Sequence, residues 1–144
     1  MAALTVDAIV DRVRSLCVGA PFYFTEAVSW DTFDLQPSTN IDAVFRIPPP
    51  SSQRAIGGFG YTEDRTDSLQ IWVARKRNDD FAAVRRSLGR DVHSLTAAIV
   101  RDGLQSGGDY AVLDEGRGHA ISAPPGREYV TLRLTLPVNY DAQL

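Results

Sequence analysis

Near the start of the chain, apolar residues recur at steps of three and four. Val6, Ile9, Val10, Val13, Leu16 and Cys17 fall on one helical face. Thr5 precedes them as a residue whose hydroxyl can accept from the free N–H groups of a first turn, and Gly19 and Pro21 follow as stop signals. The pattern predicts a helix over residues 6–17. A longer stripe runs through Phe81, Val84, Leu88, Val92, Leu95 and Ile99, about 80° wide at about 100° per residue. Asp102 and Gly103 read as its end, so a second helix is expected over residues 81–100.

Elsewhere the period is two. Ile41, Ala43, Phe45 and Ile47 alternate with Asp42, Val44 and Arg46 until Pro48, Pro49 and Pro50, which cannot donate to a ladder, so a strand is expected over 41–47. Residues 68–75 place Leu69, Ile71 and Val73 on one face and Trp72 on the other. Val130, Leu132, Leu134, Leu136 and Val138 alternate with Tyr129, Thr131, Arg133 and Thr135, as in an antiparallel strand with one buried face, about 30 Å long. Short strands are expected over 110–113 and 120–122, around the 114–118 turn and ahead of the Pro124-Pro125-Gly126 break.

Two stretches lack a period. Residues 21–40 scatter Phe22, Phe24, Trp30 and Phe33 among polar residues and read as a connection with at most a short strand. Residues 51–67, with Gly57, Gly58, Gly60 and the charges Glu63, Asp64, Arg65 and Asp67, read as a flexible loop or the tip of a long arm. Grouped, alternating strands with one helix before and one between them predict an α+β fold. It is expected as one domain over residues 1–144, with a single mostly antiparallel sheet, both amphipathic helices on one face and long glycine-rich arms.

Composition adds bounds. With 144 residues, 44% apolar and 23% charged, the chain is long enough to bury one sizeable core and is outside the range that leaves chains disordered. The net charge of −3 supplies no global pull toward nucleic acid or anionic lipid. The start of the chain lacks the basic and apolar runs of a signal peptide, and no window reaches the length of a membrane span. A single cysteine on a helical core stripe fits folding inside a cell as a small buried hydrophobe.

Candidate chemistry is sparse. His93, on the second helix, and His119, in a glycine-rich turn, have no sequence-local partner of the kind a triad or metal site advertises, and Cys17 has no nearby histidine. The acidic groups Asp31/Asp34, Glu63/Asp64/Asp67 and Asp114/Glu115 do not match a calcium loop and read as solvated loop charge. Gly57-Gly58-Phe59-Gly60 lacks the lysine and hydroxyl of a nucleotide loop and reads as a hinge or turn. No catalytic, metal or cofactor site is therefore assigned.

One local feature stands out. Residues 75–101 hold Arg75, Lys76, Arg77, Arg85, Arg86, Arg90 and Arg101 against Asp79, Asp80 and Asp91, a local charge of +4 that leaves −7 for the remainder. On the second helix Arg86, Arg90, His93 and Arg101 fall opposite the apolar stripe. Arg75, Lys76, Arg77, Arg86, Arg90 and Arg101 are the candidate surface, read either as a solvated face or as a docking face for an acidic partner or for passing DNA.

Together, the helix over 6–17, the strand over 41–47, the glycine-rich arm leading to Leu69-Gln70-Ile71-Trp72-Val73, the helix over 81–100 and the closing strand over 130–140 resemble the tail-terminator proteins of long-tailed phages. The resemblance covers nearly the whole chain and rests on layout rather than on a residue fingerprint. It implies a structural virion subunit, without enzymatic activity or cofactor, that is assembled in the host cytoplasm. Six copies would close into a ring that caps the tail tube, halts its elongation and joins it to the head connector or stopper protein. Three other readings stand beside it: a different neck subunit, a monomeric adaptor or regulatory domain, and a metal-dependent hydrolase or nuclease built on Asp31, Asp34 and Glu63.

Overall fold

The computed structural model describes residues 4–54, 62–105 and 108–143. Two helices, α1 (Val6–Val18) and α2 (Phe81–Gln105), accompany strands β1 (Thr25–Glu26), β2 (Ala43–Arg46), β3 (Ser51–Arg54), β4 (Thr62–Lys76), β5 (Tyr110–Val112), β6 (Gly118–Ser122) and β7 (Tyr129–Gln143). The fold is α+β with one sheet and two helices.

The sheet is organised around β4 and β7, which pair antiparallel from Thr62↔Gln143 to Lys76↔Tyr129, a ladder of about 50 Å at 3.4 Å per residue. The path β1-β2-β4-β7-β5 gives the strand order, with β3 also on β4 and β6 also on β7. Among the described strands every pairing is antiparallel except β1 with β2, and an isolated bridge between Leu4 and Ala142 is also parallel.

Period-two alternation then divides the side chains. Phe45 and Ile47, Leu69, Ile71 and Val73, and Val130 through Ala142 at alternate positions bury with Ile9, Val10, Val13 and Cys17 of α1 and Val84, Leu88, Leu95 and Ile99 of α2. Both helices therefore lie on one face. The opposite residues of the same strands, Val44, Trp72, Ala74 and Tyr129, form a second cluster with Trp30. The 27–41 segment is the cover of that second face, which its lack of a period concealed. Gln36 clamps it by accepting from the Tyr129 N–H at 3.0 Å and donating to the Tyr129 carbonyl at 2.8 Å. The Tyr129 hydroxyl meets the carbonyls of Thr39 and Ile41 at 2.7 and 2.9 Å.

Helix α1 starts and stops as its sequence reads: the Ala8 N–H donates to Thr5 Oγ1 at 3.2 Å, and the Gly19 N–H caps the Ser15 carbonyl at 3.0 Å. The start of α2 is held by Asp80, whose Oδ1 accepts from the Ala83 N–H at 3.0 Å. Its end differs from expectation, because the helix passes through Asp102 and Gly103 to Gln105. Gly103 is there for close packing and not as a stop: a Cβ at this position would sit 2.5 Å from the Tyr110 carbonyl oxygen.

Strand boundaries move too. The expected strand over 41–47 is shorter, Ala43–Arg46, and His119 sits in strand β6 and not in a turn. Residues 51–67 are not one loop, since Ser51–Arg54 is laddered to β4 and the polar run from Thr62 is itself the start of β4, laddered to β7. The Gly57-Gly58-Phe59-Gly60 hinge lies outside the described residues.

The two glycines of α2 give opposite expectations. Gly89→Ala meets no atom within 4 Å and should raise stability by about 0.5–1 kcal/mol through helix propensity. Gly103→Ala should lower it by about 1–3 kcal/mol by forcing β5 away from the helix. Thermal melts of the two variants check this, at about 2–4 °C per kcal/mol for a chain of this size.

Candidate functional site

Helix α2 carries acidic and basic residues in its sequence, and packing sorts them. Asp91 is buried, 6% exposed, on the sheet side of the helix. Arg75 of β4 donates to it from both Nε and Nη2, at 2.8 and 2.9 Å. The paired carboxylate, ahead of the opposing effect of burial, raises the Arg75 pKa. Asp102 turns toward α1, where Arg12 donates Nε to its Oδ2 at 3.0 Å and Nη2 to its carbonyl at 3.1 Å. Arg12 Nη1 also donates to Asp109 at 3.1 Å. The buried Tyr110 hydroxyl shares its proton between Asp102 Oδ2 at 2.7 Å and the Ile99 carbonyl at 3.0 Å. Burial first, and then the Asp102 hydrogen bond, push the Tyr110 pKa up, so the phenol stays a donor.

With both carboxylates of α2 turned inward or sideways, the outer stripe keeps Arg86, Arg90, His93 and Arg101, all exposed. None of these pairs with a carboxylate among the described residues. The expected exposed basic stripe is thus present on α2, but the membership of the candidate surface changes. Arg75 is removed from it, because its charge is neutralised inside the fold. Arg77 is tied back as well, donating Nη2 to the Pro124 carbonyl at 2.9 Å, with its guanidinium 5.3 Å from the Phe81 ring centre. Lys76 is half-buried and lines a shallow depression of about 420 Å³ with Asn78, Asp79, Arg127 and Glu128. The sequence pattern could have separated Arg75 from the rest, since it continues a strand in which every second residue points at the helices.

The acidic groups also separate. Asp31 and Asp34 are exposed on the turn whose Trp30 and Phe33 rings stack 6.0 Å apart and pack on Trp72 at 5.4 and 5.6 Å. Glu63 lies on β4 nine residues before Trp72, about 30 Å along the strand. Along the backbone, position 63 is therefore far from the turn that carries Asp31 and Asp34. Asp67 is not solvated: it is fully buried, accepts from the Tyr140 hydroxyl and lies 3.5 Å from Arg65 Nε. Among the described residues, no three histidine, cysteine or carboxylate side chains come together as metal ligands, and no helix is long and apolar enough to cross a membrane. No protein-family model and no curated protein matches the chain.

Cys17 is fully buried on α1 as its stripe position implies. Burial, reinforced by the Glu26 carboxylate and opposed by Arg14, pushes its thiol pKa up to about 12. The folded state thus holds this proton where the unfolded chain releases it, and stability should fall as pH rises above the unfolded thiol's value of about 8.5. At pH 8 the native thiol should resist iodoacetamide and react only on unfolding. Equal alkylation rates in native and denatured protein would contradict this burial.

Proposed function

We propose that this chain is a structural assembly subunit of the tail-terminator type, acting at the head–tail junction of a long-tailed phage. It closes into a homo-oligomeric ring that caps the tail tube and meets the head connector or stopper protein. The observation that carries this reading is the exposed stripe of α2, a cationic surface from which the fold withdraws both of the helix's own carboxylates. Such a face is built for docking, since unpaired exposed cations contribute to contact with a partner and not to the subunit's own stability. The layout supports the same reading: helix, strand, hairpin arm, helix and long closing strand follow one another around a single sheet. A heterologous contact that closes on itself generates a ring without any further component. No catalytic residue is assigned in this reading, and virion assembly is its place of action.

Solution mass measurement with negative-stain imaging tests it. Closed rings of defined subunit number are expected on concentration of the purified chain, whereas a chain that stays monomeric at all concentrations would favour an adaptor or regulatory domain.

A further inference from the structure

Across the sheet from α2 lies a turn that carries two exposed carboxylates. Between Ser15 and Phe45 the sequence holds no lysine, arginine or histidine, but four carboxylates: Glu26, Asp31, Asp34 and Asp42. Two are engaged within the fold. Glu26 accepts from Arg14 Nε at 2.6 Å, and Asp42 Oδ1 accepts from the Lys76 N–H at 3.2 Å. Asp31 and Asp34 remain exposed, pair with no described cation, and stand on the turn that covers the outer sheet face. On either side of them Val28 and Leu35 are 65% and 66% exposed. Two cations share the rung of Trp72 on this face: Arg46, which is half-buried, and Arg133, whose guanidinium is 5.3 Å from the Phe33 ring centre.

The helical side offers the complement. A groove of about 440 Å³ runs between the end of α1 and α2, with Leu16, Pro21, Phe22, Ala97 and Ala98 among its walls and Arg101 at its edge. Asp102 also lines it, with its carboxylate already held by Arg12 and Tyr110. Arg90 lies three turns of α2 before Arg101, about 16 Å away along the axis. The groove, with apolar and polar walls and Arg101 as the cation in its lining, and with Arg90 further along the same stripe of α2, matches a turn that carries exposed apolar side chains and two carboxylates.

We infer that copies of this chain associate head to tail, the turn carrying Val28, Asp31, Asp34 and Leu35 of one copy seating in the α1–α2 groove of the next, with Arg90 and Arg101 facing its carboxylates. Because the two surfaces lie on opposite faces of the sheet, each copy offers both, and the contact is heterologous. Electrostatic attraction supplies register and association rate, and the apolar residues supply the water-excluding centre. This inference rests on the ring reading and names the surfaces that build the ring.

A charge-swap experiment tests it. The first variant is Arg90→Glu with Arg101→Glu, and the second is Asp31→Arg with Asp34→Arg. All four positions are exposed, so both variants should melt with the parent. Each alone faces like charge with like at every contact and should stay monomeric where the parent assembles, with self-association weakened at least about tenfold. Mixed one to one, the acidic groove of the first meets the basic turn of the second and the parental contact is retained in the other direction. The mixture should recover assemblies of parental mass in which the two variants alternate. Variants that assemble alone as the parent does overturn the inference and leave the ring reading standing. So do variants that dissociate but fail to assemble when mixed. A first variant that keeps the parent's mass but loses retention on duplex DNA would make the α2 stripe a nucleic-acid face and likewise overturn it. A parent that is monomeric at every concentration overturns this inference and the ring reading together.

Discussion

The ion pair between Arg75 and Asp91 is the interaction on which the placement of α2 depends. A carboxylate taken out of water costs several kcal/mol unless a cation and good hydrogen bonds meet it. Asp91 faces the sheet from the middle of α2, so the helix can sit where it does only if β4 presents a guanidinium at that point. Arg75 does so with two hydrogen bonds. The Arg12–Asp102 contact fixes the other end of the helix against α1 and β5 in the same manner. The apolar stripe gives α2 its adhesion, and these two contacts set its rotation and position. Their consequence for the surface is that the outer stripe of α2 keeps cations and carries no carboxylate.

The β4–β7 ladder provides the frame for both contacts and for the two faces. Near Trp72 the sheet is covered on both sides, by the helices through Ile71 and Val73 and by the 27–41 segment through Trp72 and Ala74. A strand covered on both sides cannot slip register by one residue, because its two sets of side chains are packed against different partners. That constraint fixes where the acidic turn stands relative to α2. It keeps the Asp31 and Asp34 carboxylates on the opposite side of the molecule from Arg90 and Arg101, which is the arrangement a head-to-tail contact requires.

Much of this was legible in the sequence wherever one side of an element is buried. The stripes of α1 and α2 and the alternation of residues 130–138 were readable because burial on a single face imposes a period. The beginning of β4 was not. Thr62 through Ser68 is a polar run, and it is a strand because β7 and β3 satisfy its backbone groups, a tertiary effect that overrides local preference. Asp102-Gly103 looked like a helix end because both residues disfavour helix interiors. Their roles there depend on Arg12 and Tyr110, contacts that sequence spacing does not reveal. The candidate surface is smaller than the run of basic residues for a similar reason: Arg75 and Arg86 look alike as charges and differ only in which way their elements point them. The cover of the outer face escaped notice because a segment anchored by isolated aromatic rings and a glutamine clamp has no period to read.

If the fold holds the carboxylates of α2 inside and so leaves its outer stripe cationic, the most direct measurement is the coupling energy of Arg75 with Asp91. A double-mutant cycle with Arg75→Met and Asp91→Asn, followed by denaturant unfolding at low and high salt, isolates it. A coupling of about 1.5–3 kcal/mol that survives high salt is expected, as for a hydrogen-bonded pair shielded from solvent. A coupling below about 0.5 kcal/mol that disappears as salt rises would mark an ordinary surface pair, and would contradict the claim that α2 is positioned by it.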